Sequence, residues 1–304
     1  MFDAESARRL AAALLTDEGY IEKEWHVVRA LGVIASVDVM GVTPVFSGGT
    51  SLSTAWRLIR RFSEDVDFKV AIEAQNPSAA RTRRSTYRNK VIEALAGAGF
   101  ALDGDVLIGN MSQFFRASFR YPATFPPATG LRPTLQIEMT FGGTLMKPSP
   151  RPVQSLLGRT QPGPPEVPSL LCVDPVETAA DKLSALTWRT HVRDRSSPDD
   201  DPSIVRHVHD LAALAATAAA SSEFVPLVLR NLERDAKRTK WPDVDGLTLL
   251  GNVLPTIVAD RLWQSDYDDF VRAVGFGPDD ERIDFDAAVA ACQRLVDRVL
   301  DQQG

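Results

Sequence analysis

Two periodicities divide the first half of the chain. From residue 5 to 40, apolar side chains recur at helical spacing, Leu10, Leu14 and Leu15 and then Trp25, Val28, Leu31 and Ile34, which predicts helices. A short strand at 42–46 then meets a break at Gly48-Gly49. Beyond Thr50, Leu52, Ala55, Trp56, Ile59 and Phe62 lie at i, i+3, i+4, i+7 and i+10. That spacing predicts a buried helix with Arg57, Arg60 and Arg61 on its outer side. The period drops to two in SEDVDFKV, where Val66, Phe68 and Val70 point one way and Asp65, Asp67 and Lys69 the other, as in a strand.

The same two signals continue downstream. Residues 78–98 predict a helix carrying Arg81, Arg83, Arg84, Arg88 and Lys90, and a hairpin region runs on to Tyr121. A second alternating segment, TLQIEMTF, sets Leu135, Ile137, Met139 and Phe141 on one face and Gln136, Glu138 and Thr140 on the other. The stretch GRTQPGPPEVPS at 158–169 carries four prolines and two glycines, which disfavours helix and central strand. The domain boundary is therefore expected there, with one domain at 1–160 and a helical one at 170–304. Asp174-Pro175 with Glu177 is a helix start signal. Further helices are predicted over 204–219, 223–237, 249–263, 267–274 and 285–300, and Asp194 to Ser203 reads as an acidic loop.

Composition narrows the function classes. With 304 residues and 44% apolar content the chain can fill two ordinary cores. A net charge of -6 argues against a uniformly basic nucleic-acid coat. Cys172 and Cys292 stand alone, without zinc-ligand or CxxC spacing, so neither a disulfide framework nor a structural zinc is expected. The N-terminal segment is unlike a signal peptide and no apolar run reaches the ~20 residues that span a bilayer, so a cytoplasmic protein without membrane partners is expected.

Candidate chemistry centres on the second strand. Asp65 and Asp67 leave it on one face, their Cα atoms about 6.6 Å apart, a geometry that can hold a hard divalent cation. Glu138, from another strand's polar face, can add a third carboxylate for phosphoryl or nucleotidyl transfer. Ser47, Gly48, Gly49 and Thr50 precede a helix, where backbone N–H groups favour phosphate and glycine allows close approach. Taken singly, an Asp-x-Asp pair can equally be a solvated strand edge and a Gly-Gly pair a plain turn. Their succession, with a later strand carboxylate, is the informative feature.

Gly48-Gly49-Thr50-Ser51-Leu52-Ser53, followed by Arg61-Phe62-Ser63-Glu64-Asp65-Val66-Asp67-Phe68, resembles the nucleotidyltransferase motif of the AbiEii/AbiGii toxin family, which includes MenT-like toxins. Ile21-Glu22-Lys23-Glu24-Trp25, Leu135-Gln136-Ile137-Glu138 and Asp181-Lys182-Leu183-Ser184-Ala185-Leu186 with Arg189 and Arg193 extend the resemblance over about residues 20–215. It implies an α+β fold, a polymerase-β-type nucleotidyltransferase domain with a mixed sheet followed by an α-helical C-terminal domain that completes the site and contacts the acceptor. Asp65 and Asp67 would bind Mg2+ or Mn2+, the glycine turn would hold an NTP, and Lys182 and Asp210 would complete the site. The resemblance further implies a toxin with a cognate antitoxin, acting on the 3′ end of tRNA. Two departures stand out: the pattern around Asp210 reads Arg206-His207-Val208-His209-Asp210-Leu211, and an acidic insertion covers Pro198 to Pro202.

Other residues carry alternatives. Lys182, Arg189 and Arg193 fall on one stripe of a helix, either a phosphate contact or a solvated face. Asp210 can orient Lys182 or pair with Arg206 one turn earlier. His207 and His209, two apart on a helix, make a poor chelating pair, and His26 and His191 have no partner at ligand spacing. Arg57, Arg60 and Arg61, the arginines at 81–88, and Lys237, Arg238 and Lys240 form either an RNA-binding track or ordinary solvated faces. Against the toxin reading stand a nucleotidyltransferase acting on a protein or small-molecule hydroxyl, and a catalytically silent nucleotide-binding module.

Overall fold

A computed structural model describes residues 2–128, 130–237, 244–278 and 282–302. The chain forms two compact units, one of residues 1–174 with 276–278 and one of residues 175–275 with 279–304.

The first unit is an α+β layer structure. Its helices are α1 (Ala4–Leu14), α2 (Glu18–Ala35), α3 (Gly48–Thr54), α4 (Pro77–Gly97) and α5 (Leu156–Arg159). Its strands are β1 (Val42–Ser47), β2 (Asp65–Ile72), β3 (Ala101–Gly109), β4 (Phe114–Arg120), β5 (Thr134–Phe141), β6 (Ser149–Val153) and β7 (Val167–Cys172). They form one mixed sheet in the order β3-β4-β5-β2-β1-β7-β6. The β2–β5 and β1–β7 pairs are parallel and the others antiparallel. Alternation on β2 and β5 works as expected: Val66, Phe68, Val70, Leu135, Ile137 and Met139 are buried and join α2 and α4 in one core. Asp65, Asp67 and Glu138 are left on the other face.

Three sequence expectations are corrected here. The apolar stripe from Leu52 to Phe62 is not one helix, because α3 ends at Thr54 and the chain turns through Arg57 at φ 57°. The Arg159 guanidinium caps the released Thr54 carbonyl at 3.2 Å, and the Trp56 indole donates to the Val173 carbonyl at 3.1 Å. Ile59 and Phe62 reach the interior from an irregular segment, so helical spacing arose without a helix. Arg61, expected on an outer face, is 4% exposed and donates to the Phe62 carbonyl at 2.9 Å. The proline-rich stretch is not the boundary between units: it leads into β7, and Phe46 pairs with Cys172, which binds 167–172 to the first unit's sheet.

Glu22, Lys23 and Glu24 on α2 are all buried, and each fastens a different segment. Glu22 accepts the Thr124 and Phe125 N–H groups at 2.7 and 2.8 Å, Lys23 donates to the Arg132 carbonyl at 2.6 Å and Glu24 accepts the Leu156 N–H at 2.9 Å. Burial pushes Glu24 up to about 7 from an ordinary 4.5, against the lowering effect of the Leu156 N–H and Arg159. The folded state therefore holds a proton there that the unfolded chain releases, and stability falls as pH rises from 4.5 to 7. Glu24→Gln keeps an oxygen for Leu156 and removes that loss. It should raise stability by about 3 kcal/mol at pH 8 and by little at pH 4, as measured by urea unfolding at both.

The second unit is helical: α6 (Pro175–Val192), α7 (Arg206–Ala220), α8 (Phe224–Ala236), α9 (Gly246–Ala259), α10 (Leu262–Val274) and α11 (Phe285–Asp301). α6 packs on α7, α8 and α9, and α7 packs on α11. α6 begins at Pro175, as the start signal predicted. The acidic segment after it is fastened to arginines, with Arg193 gripping Asp200 at 2.8 and 3.0 Å and Asp266 at 2.9 Å while lying over the Trp263 ring at 4.6 Å. No helix among the described residues is long and apolar enough to cross a membrane.

Candidate active site

The parallel register of β2 and β5 sets Asp67 opposite Glu138 and Asp65 opposite Gln136, while the antiparallel register of β1 and β2 sets Ser47 opposite Asp67. The end of β1, the start of α3 and both aspartates thereby meet at one end of the polar face. Gly48 has φ +74°, and a Cβ there would overlap the Asp67 carboxylate. A Cβ on Gly49 would lie 2.6 Å from Arg61 Nη2 and 3.0 Å from Ser63 Oγ. Both glycines are thus needed for close approach, one above a carboxylate and one above a buried guanidinium. The Thr50 hydroxyl donates to the Asp65 carbonyl, so it ties the turn to β2.

Gly48→Ala tests this packing. The left-handed backbone alone costs an L-residue about 1–2 kcal/mol, and relief of the overlap must move Asp67. Urea unfolding should show that loss.

The carboxylates sit in a hydrogen-bonded chain that the sequence reading did not contain. Arg132, from the loop before β5, pairs with Asp65 Oδ1, donates from Nε to Glu64 Oε1 at 2.9 Å and from Nη1 to Gln136 Oε1 at 2.7 Å. Gln136 Nε2 continues to Glu138 Oε1 at 2.7 Å, and Arg116 Nε of β4 reaches the same oxygen at 2.8 Å. Burial raises the Glu64 carboxyl, but the Lys23 and Arg132 charges and hydrogen bonds outweigh it and hold Glu64 below its ordinary value. Arg116 carried a weak signal, since it lies on the polar side of the alternating FFRASFR strand opposite Glu138. Arg132 and Lys23 carried none, because their roles depend on where a loop and a helix fold over the sheet.

Among the described residues, no group of three or more His, Cys, Asp or Glu side chains is placed to hold a metal ion. The three-carboxylate seat expected of Asp65, Asp67 and Glu138 is therefore not assembled, because Arg116 and Gln136 draw Glu138 into their own contacts. Asp65 and Asp67 still suit a small divalent cation. They are neighbouring, partly exposed carboxylates on one strand face, and Mg2+ is commonly held by one or two carboxylates with water and substrate phosphate.

In the second unit, Lys182 Nζ lies 2.7 Å from Asp210 Oδ2, with Asp210 fully buried. Of the two partners open to Asp210, Lys182 is thus the one it takes, while Arg206 approaches Asp201 at 3.7 Å. His209 Nδ1 is 3.2 Å from the other Asp210 oxygen. His207 is buried with neither ring nitrogen hydrogen-bonded, and burial together with Lys182, Arg206 and Arg189 holds its pKa well below the ordinary value. The expected stripe does not survive at its end: α6 stops at Val192, and the Arg193 side chain is enclosed by Asp200, Asp266 and Trp263. Of the basic track, Arg57, Arg60 and Arg81 are exposed while Arg61 and Arg88 are buried, and Arg238 and Lys240 lie outside the described residues.

Comparison with known proteins agrees with this architecture. The profile of the family described as nucleotidyl transferase AbiEii toxin, type IV TA system, matches residues 39–291. Among solved structures, MenT4, a nucleotidyltransferase toxin from Mycobacterium tuberculosis H37Rv, is 18% identical with a TM-score of 0.56, over 97% of this chain and 89% of that one. A STING-associated CdnE c-di-GMP synthase from Capnocytophaga granulosa is 10% identical with a TM-score of 0.29, over 96% of this chain and 85% of that one. No curated protein sequence matches the chain.

Proposed function

The chain belongs to the AbiEii family of nucleotidyl transferase toxins of type IV toxin–antitoxin systems, and from that premise we propose that it moves a nucleoside monophosphate from an NTP to the 3′ end of tRNA. The observation that carries this reading is the seating of the Gly48 backbone directly against Asp67, with Asp65 on the same strand face. A phosphate tail at the turn and a cation at the aspartates would then be neighbours.

Asp65 and Asp67 would hold Mg2+ or Mn2+, which would neutralise phosphate charge and favour ionisation of the acceptor hydroxyl. The backbone of Ser47 to Thr50 receives the phosphates, its glycines allowing close approach. Lys182, whose ammonium Asp210 holds, is the cation we assign to the β- and γ-phosphates, where charge builds as pyrophosphate leaves. The acceptor hydroxyl attacks the α-phosphate as the bond to the β-phosphate breaks and pyrophosphate leaves; its proton is assigned to the Glu138 carboxylate, a role that requires that carboxylate to part from Arg116. Substrates of this kind put the protein in the cytoplasm, with an antitoxin as its cognate partner.

Incubation of the protein with each labelled NTP, Mg2+ and total RNA tests the reading, beside an Asp65→Ala/Asp67→Ala control. Label on tRNA with the wild type alone is the expected result. Label on protein or on a small molecule would move the acceptor to another hydroxyl, and equal labelling by the control would remove the two aspartates from the mechanism.

A further inference from the structure

Arg132 is held more firmly than a surface arginine at 41% side-chain exposure would suggest. Its backbone N–H donates to Glu64 Oε2 at 3.2 Å and its carbonyl accepts from Lys23 Nζ at 2.6 Å. Its side chain reaches Glu64, Gln136 and Asp65 with three separate nitrogens. Lys23, 2% exposed on α2, is itself paired with Glu64 at 2.5 Å, so the loop, the helix and two strands are bracketed together around one guanidinium.

The bracket treats the two oxygens of Asp65 differently. Oδ1 pairs with Arg132 and lies 3.5 Å from Gln136 Nε2. No group among the described residues donates to Oδ2. A cation approaching this carboxylate is therefore offered one oxygen, with the second engaged by a fork that its own partners hold in place.

We infer that Arg132 is a positioning residue that makes Asp65 a one-oxygen ligand and thereby selects small six-coordinate ions over calcium. Mg2+ and Mn2+ suit near-octahedral sites with single-oxygen carboxylate contacts, whereas Ca2+ takes six to eight oxygens and readily uses both oxygens of a carboxylate. An Asp65 released from Arg132 could turn and offer both. The lysine at position 23 and Glu64 act through Arg132, by keeping its guanidinium in register with the strand. The inference rests on the proposed metal role of Asp65 and Asp67, and it specifies which ion that pair accepts and why.

The test is direct binding, separate from turnover. Mn2+ is titrated into the full-length protein and free Mn2+ is read by electron paramagnetic resonance, with Ca2+ as competitor. The proteins are wild type, Arg132→Gln, Arg132→Lys and Asp65→Ala/Asp67→Ala. Arg132→Lys keeps the charge and loses the fork, so it separates geometry from electrostatics. The ratio of Mn2+ to Ca2+ affinity is expected to fall about tenfold in both Arg132 variants, the lower end of what loss of a ligand's hydrogen-bonding partner usually costs. If Arg132→Gln tightens both ions equally and Arg132→Lys matches wild type, Arg132 acts only as a repelling charge and the inference is wrong. An unchanged ratio in both variants also overturns it. If wild type binds no Mn2+, or the double aspartate variant binds it as well as wild type, the metal role itself fails and takes this inference with it.

Discussion

Asp67→Ala should lower the rate of nucleotide transfer by on the order of 10³-fold, the scale on which loss of one preorganised electrostatic element acts, with unfolding free energy changed by no more than about 1 kcal/mol. Asp67 stands at the crossing of two registers, opposite Ser47 on one side and Glu138 on the other, and against Gly48. The three atoms nearest to a Cβ on Gly48 would all belong to the Asp67 side chain. Glu138→Gln should cost less, about 10²-fold, since Glu138 is engaged with Arg116 and Gln136 and an amide can keep part of those contacts. Single-turnover rates with a labelled NTP and tRNA, beside urea denaturation of each variant, distinguish the two. A fast Asp67→Ala enzyme, or a Glu138→Gln enzyme as slow as it, would reverse the ranking of these groups.

Lys182→Met should destabilise the protein by about 3 kcal/mol, because it takes away the ammonium that pairs with a fully buried carboxylate. Asp210 has no solvent exposure, and His209 Nδ1 lies 3.2 Å from its other oxygen. The added variant Lys182→Met/Asp210→Asn removes the buried negative charge as well and should recover at least half of the loss, a coupling that urea unfolding of the four members of the cycle measures directly. If the double variant is as unstable as the single one, the pair contributes through packing alone. On the proposed assignment of Lys182 to the phosphates, activity is expected to stay low in both.

Much of the first unit was legible because its strands report their own environment. Period-two alternation in DVDFKVAI and TLQIEMTF is a consequence of backbone pleating, so the buried and polar faces followed from residue order. Helical spacing was less dependable. Leu52 to Phe62 satisfied it, yet the chain leaves the helix at Thr54, since Arg159 and Val173, distant in sequence, provide better partners for its polar groups than another turn would. The strands β6 and β7 were hidden by prolines that sit where the sheet needs no N–H, at its edge and at the entry to a strand.

Residue order alone determined that Asp65 and Asp67 share a face, that Glu138 rises from another strand's polar side, and that a glycine turn precedes them, because each depends on contacts within a few residues. It did not determine what those carboxylates touch. Arg132 meets Asp65 across 67 residues, Arg116 meets Glu138 across 22, and Lys182 meets Asp210 only through the packing of α6 on α7. Charge pairing acts over a few ångströms of space whatever the separation along the chain, so only the folded arrangement could decide which cation each carboxylate would hold.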